Sequence, residues 1–102
     1  MQGEKPMIVA TVLACAVGAP AHISGMSHSA PYVLIWNSQE NLEEYDAGEW
    51  PSPSQILRRA RVADNDRQVV TLECKGRFVR VRSLAGRTRG VSGWVNADEL
   101  EP

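Results

Sequence analysis

From Gln68 to Leu100 the chain alternates and breaks in a way that leaves few folds open. "QVVTLEC" (68–74) reads as a strand, Lys75-Gly76 as a tight turn, and "FVRVR" (78–82) as a second strand. In that second strand Val79 and Val81 share one face, while Phe78, Arg80 and Arg82 share the other. "SLAGRTRG" (83–90) reads as a flexible hairpin connection, Val91–Asn96 as a third strand, and "ADEL" as a terminal turn that tucks Leu100 inward. Two hairpins in sequence with a closing turn predict an all-β chain folded as a small antiparallel barrel, which removes exposed sheet edges. At 102 residues the chain fits one compact domain.

Upstream, "PYVLIW" (31–36) is a short apolar and aromatic run with strand character. The following "NSQENLEEYDAGEWPSPS" carries five acids, Tyr45 and Trp50; Gly48, Pro51 and Pro53 prevent a long regular element there. It is read as an extended acidic surface loop with one turn of helix around Glu40–Tyr45. "SQILRRARVAD" fits two readings. Ser52-Pro53-Ser54-Gln55 matches a capping box with Pro at the first helical position. Yet Ile56, Arg58, Ala60 and Val62 alternate as in a strand. "DND" (64–66) is a turn by composition, because Asx side chains bond nearby backbone and tolerate unusual dihedrals.

The front of the chain leaves two readings open. Met7 to Ala21 is apolar or small throughout, and its 15 residues are too few for a helix to span a bilayer. With Lys5 before it and Ala19-Pro20-Ala21 at its end, it suits a secretory leader; Val12-Leu13-Ala14-Cys15 also resembles a lipobox. Equally, Met7–Val17 suits a buried strand with "GAPAHISGMSHSAP" as the loop after it. Residues 1–29 are therefore a leader or an extra N-terminal strand, and 30–102 the barrel domain. An exported and a cytoplasmic location stand level.

Charge is unevenly spread. Residues 1–50 hold one Lys against five Glu and one Asp, and residues 51–102 hold nine Arg and one Lys against three Asp and three Glu. The halves predict either a dipolar surface or internal pairing between the arginines near 77–89 and the acids of 40–49. Overall the charge is −1, so no bulk attraction to nucleic acid follows.

Cys15 and Cys74 form no CxxC pair, and two unpaired thiols are the expectation, with a disulfide as the alternative. No metal-ligand spacing links them to His22 and His28, so no metal or cofactor is expected. "GMSHS" lacks the second Gly of a nucleophile elbow, and no HExxH, phosphate loop or dinucleotide fingerprint occurs. "GRTRG" (86–90) has the composition of a phosphate cradle, but a mobile, soluble hairpin tip is the favoured reading. These residues point to no enzyme.

The stretch "VVTLECKGRFVRVRSLAGRTRGVSGWVNADEL" resembles the second half of a bacterial SH3-type (SH3b) domain. Gly93-Trp94-Val95 matches that family's most specific element, Arg80-Val81 its basic-Val pair, and Leu100 its closing residue; Phe78 stands where the family usually has Trp. "PSPSQIL" matches its entry into the second strand. The family's Asn-Val-Arg signature is absent, and "LIWNS" (34–38) stands in its place. The resemblance covers residues 54–102 and, more weakly, 30–53, where the acidic stretch 39–53 becomes an enlarged RT-type loop.

What the resemblance implies is a non-catalytic binding module for a peptide, a protein or a cell-wall peptide. Its aromatic-lined groove would draw on Trp36, Tyr45, Trp50, Phe78 and Trp94, with the loop's acids selecting basic or Pro-rich ligands. Arg80 and Arg82 share a strand face with Phe78, and basic residues beside an aromatic suit single-stranded nucleic acid or an anionic peptide. A small nucleic-acid-binding barrel is thus the second reading, and an accessory subunit of a larger complex a third.

Overall fold

A computed structural model of the chain describes residues 16–25, 30–49 and 51–102. Seven antiparallel strands form one sheet: β1 (Pro20–Ile23), β2 (Tyr32–Trp36), β3 (Ala60–Asp64), β4 (Gln68–Lys75), β5 (Phe78–Ser83), β6 (Ser92–Asn96) and β7 (Leu100–Glu101). Their order across the sheet is β3-β2-β6-β5-β4-β1-β7. The all-β expectation holds at this level. Closure into a barrel is not seen, since no ladder joins the edge strands β3 and β7.

The β4–β5–β6 hairpins run as their alternation predicts. Val79 and Val81 are fully buried, whereas Phe78 and Arg80 are half-buried and Arg82 exposed on the other face. Gly76 turns the first hairpin at φ 61°, a left-handed conformation that glycine adopts without a Cβ penalty. β4 is irregular between Thr71 and Glu73, which locally shifts its register against β5.

One core cluster gathers Ile23, Val33, Ile35, Ala63, Val69, Val79, Val81 and Val95 from β1 through β6. In a flat sheet β3 and β1 would lie roughly 24 Å apart at the usual strand spacing. Instead, Asp66 N–H, in the turn after β3, donates to the carbonyl of Ile23 in β1 at 2.9 Å. The sheet is therefore rolled around this cluster.

A second cluster lies on the outer face: Trp36, Leu42, Ala60 and Trp94, with Leu34, Tyr45, Ile56 and Phe78 packed against it. "VLIW" is uniformly apolar because β2 serves both clusters. Val33 and Ile35 point into the first, Leu34 and Trp36 into the second.

Several expectations are corrected. The acidic stretch is not an extended loop: Gln39–Asp46 forms helix α1. Ser38 caps it by accepting Asn41 N–H at 3.1 Å, and buried Leu42 docks it on the outer cluster. "SQILRRARVAD" satisfies both of its readings in turn. Helix α2 (Pro53–Arg59) begins with the capping box, in which Ser52 N–H donates to Gln55 Oε1 at 3.1 Å, and it passes directly into β3. The turn at 64–66 is present, with Asp66 at φ 68°.

The 83–90 connection is ordered rather than a loose tip. It holds a 3₁₀ turn at Gly86–Thr88, a buried Ser83–Thr88 hydroxyl pair at 2.7 Å, and an Arg67 Nη1 bond to the Ala85 carbonyl at 2.8 Å. Residues 20–23, expected within a loop, form β1, because Ile23 completes the core and its strand pairs with β4 and β7. The leader or strand reading of Met7–Val17 falls almost wholly outside the described residues, as do Ser27 and His28.

Cys74 is disulfide-bonded, which corrects the expectation of an unpaired thiol there; Cys15 lies outside the described residues. Among the described residues no helix is long and apolar enough to cross a membrane.

Candidate functional site

β2 presents Tyr32, Leu34 and Trp36 on one face by its two-residue period. Along this stripe runs a cleft of about 440 Å³. α1 supplies one wall through Leu42, Tyr45 and Asp46, and the end of β6 with the turn after it supplies the other through Asn96 and Glu99. Trp36, only 2% exposed, and Leu42 form its floor. The Trp36 and Tyr45 rings meet at 4.9 Å between centroids with a 39° tilt, a favourable aromatic arrangement that fixes α1 against the sheet. Tyr32 stands at 45% exposure and offers its ring to solvent.

The rim is acidic. Asp46 ends α1, and Asn96 Nδ2 reaches its carboxylate at 3.5 Å. Arg77 forms an ion pair with the same carboxylate from outside the cleft lining. Glu99 is buried; its carboxylate accepts Asn96 N–H at 3.0 Å, and its carbonyl accepts Ser24 N–H at 2.8 Å.

Trp36 and Tyr45 are the sequence-predicted site residues that the cleft contains. Phe78, Arg80, Arg82 and Trp94 stand on the outer face of β5 and β6. Arg80 pairs in register with Glu73 on one side and Trp94 on the other, and Trp94 with Trp36. One cross-sheet row thus links the two groups. Trp94 is 8% exposed and belongs to the outer cluster, which leaves little of its ring for a ligand. Trp50 lies outside the described residues.

The basic side chains are largely engaged on this face. Arg80 Nε donates to Glu73 Oε1 at 3.1 Å, and Lys75 approaches Glu73 at 3.5 Å. The Arg80 hydrogen bond holds the Glu73 carboxyl below its ordinary range, against a smaller opposing effect of desolvation and with help from Lys75. Lys75 also lies 5.8 Å from the Trp94 ring, and Arg77 5.2 Å from that of Phe78. The predicted pairing with the 40–49 acids is met by Arg77 with Asp46 and, from α2, by Arg59 with Glu44 at 3.6 Å. It is not met by Arg80, whose partner is its strand neighbour.

Sequence reasoning missed Tyr32, Leu34, Asp46, Asn96 and Glu99 as lining residues. Tyr32 and Leu34 carried a usable signal, the period of two that places them beside Trp36. Among the described residues no three His, Cys, Asp or Glu side chains gather as a metal site. No family model, curated protein or solved structure matches the chain.

Proposed function

We propose that the chain is a non-catalytic binding module, its rolled sheet an open SH3-like barrel, and that it takes an extended cationic or Pro-rich peptide in the cleft on β2. The observation that carries this reading is the convergence of Tyr32, Tyr45 and Asp46 around one cleft whose floor is Trp36 and Leu42. Rings supply flat contact area at little entropic cost, and the Asp46 carboxylate at the rim attracts a Lys or Arg. The SH3b resemblance of residues 54–102 supports the same class. The disulfide at Cys74 favours the exported location over the cytoplasmic one, since such bonds persist in oxidising compartments.

The test is titration of the isotope-labelled chain with a Pro-rich peptide carrying two arginines. The expected result is resonance shifts at Tyr32, Tyr45 and Asp46. Tyr32→Ala should weaken binding about tenfold, roughly 1.4 kcal/mol, with the melting temperature kept. An inert cleft would overturn the reading. Oligothymidine that shifts Arg80 and Arg82 instead, with affinity falling steeply in salt, would establish the nucleic-acid alternative.

A further inference from the structure

The nine arginines of residues 51–102 divide into two groups. Arg59, Arg67, Arg77 and Arg80 each hold an acid of the same chain, respectively Glu44, Asp64, Asp46 and Glu73. Arg58, Arg61, Arg82, Arg87 and Arg89 are exposed, and among the described residues none of them forms an ion pair or a side-chain hydrogen bond. The fold gathers this second group. Arg58 lies in the last turn of α2 and Arg61 on β3, into which α2 runs. Arg87 and Arg89 belong to the 83–90 connection, whose Gly86–Thr88 turn packs against β3. Arg67 ties the two halves together: its Nη1 donates to the Ala85 carbonyl at 2.8 Å, and its Nη2 lies 3.4 Å from Asp64 Oδ2 at the end of β3. Gly90 N–H donates to the Ser83 carbonyl at 2.8 Å, which sets Arg89 and Arg82 at the same end of the β5–β6 hairpin.

Aliphatic side chains stand among these arginines. Leu57, beside Arg58, is 68% exposed; Val62, beside Arg61, is 49% exposed; and Leu84, which opens the connection, is 43% exposed. Of the acids on β3 and the turn after it, Asp64 is held by Arg67, which leaves Asp66 against five arginines. None of the arginines or aliphatic residues of this surface lines the cleft on β2, so it lies apart from the peptide site. The company the arginines keep selects the partner. Single-stranded nucleic acid needs rings on which its bases stack, and Phe78 and Trp94 are packed in the outer cluster. An anionic bilayer offers phosphates to guanidinium groups and an acyl boundary to leucine and valine.

We propose that the surface formed by α2, β3 and the 83–90 connection docks the chain on an anionic lipid bilayer. The unpaired arginines meet headgroup phosphates, and Leu57, Val62 and Leu84 enter the boundary beneath them. The acids of α1 are carried by another part of the chain, so the uneven charge orients the molecule as it approaches the membrane.

The test is co-sedimentation of the full chain, its disulfide intact, with vesicles of phosphatidylcholine alone and of phosphatidylcholine mixed equally with phosphatidylglycerol. The expected result is binding to the mixed vesicles and not to the neutral ones, weakened by added salt as screening requires. Arg58→Glu with Arg61→Glu, and separately Arg87→Glu with Arg89→Glu, should each weaken binding by about tenfold or more, since reversal turns attraction into repulsion. The two pairs lie on different elements, so a fold lost in one variant leaves the other to report. Leu57→Ser with Leu84→Ser should weaken binding while its salt dependence stays the same. Equal partition onto both kinds of vesicle, no sedimentation with either, or an effect confined to one arginine pair when both variants fold would overturn the proposal. So would a chain that ignores the vesicles but binds oligothymidine through these arginines, which would assign the surface to nucleic acid.

Discussion

Trp94 stands directly opposite Trp36 across the β2–β6 ladder, the one paired position between those strands. The two indoles hold the outer cluster together because the residue before Trp94 is glycine. A Cβ at Gly93 would lie 2.4 Å from the Trp36 carbonyl oxygen and 2.6 Å from Ile35 Cγ2. Gly93 thus lets β2 approach β6, and that approach brings the tryptophans of two distant segments into one cluster.

Gly93→Ala should accordingly cost about 1–3 kcal/mol, the range for overpacking a tight site, read as a lower urea midpoint. The obstacle is backbone and a core side chain, so relief requires moving β2. Tryptophan fluorescence should change with it. A variant as stable as the parent would show that the two strands are not held at this separation.

Leu42→Ala addresses the helix. Leu42 is the buried residue of α1, and its removal leaves a hole over Trp36. A loss of about 2–5 kcal/mol is expected. Hydrogen exchange should quicken at Ala47, whose N–H donates to the Glu43 carbonyl at 2.9 Å. The cleft should lose its wall as α1 frays, so peptide binding should weaken as well. Loss of stability with unchanged exchange in α1 would mean that Leu42 fills space without fixing the helix.

What the sequence disclosed follows from how local each determinant is. Val79 and Val81 alternate with charged and aromatic neighbours, so their burial was readable from period alone. Val33 to Trp36 hid their division between two clusters, since a uniformly apolar run carries no phase. α1 was under-read because its acids look solvated and only Leu42 announces a buried face. Its other support, Tyr45 against Trp36, is tertiary. The cleft was half legible. Trp36 and Tyr45 declare themselves as aromatics, but Asp46 and Asn96 are brought together across 50 residues by the β2–β6 pairing. Ser83 to Gly90 has the composition of a mobile loop, and no pattern marks its hydroxyls as partners.

The Glu73–Arg80 pair gives a pH signature. Arg80 holds the folded pKa of Glu73 below its ordinary 4.5. The pair's stabilisation is therefore fully present above that ordinary value and is lost as pH falls through the lower folded pKa. Arg80→Gln should move the Glu73 midpoint up toward 4.5 in a carboxylate NMR titration, with Lys75 still lowering it somewhat. The acid limb of the stability curve should soften in parallel. An unmoved midpoint would assign the shift to Lys75 instead.

The buried hydroxyl pair makes an asymmetric prediction. Ser83 Oγ donates to the Ala85 carbonyl at 3.1 Å, so in the 2.7 Å contact with Thr88 it must accept. Thr88→Val removes a donor and leaves Ser83 still bonded to Ala85; about 1 kcal/mol should be lost. Ser83→Ala strands the Thr88 hydroxyl as a buried donor and leaves Arg67 as the side-chain donor to the Ala85 carbonyl. That variant should lose more, about 1–3 kcal/mol, by thermal and urea unfolding. The order of the two costs reports the direction of the hydroxyl chain. Equal costs would mean that Thr88 donates nowhere in particular, and that the 83–90 connection is held by Arg67 rather than by its own side chains.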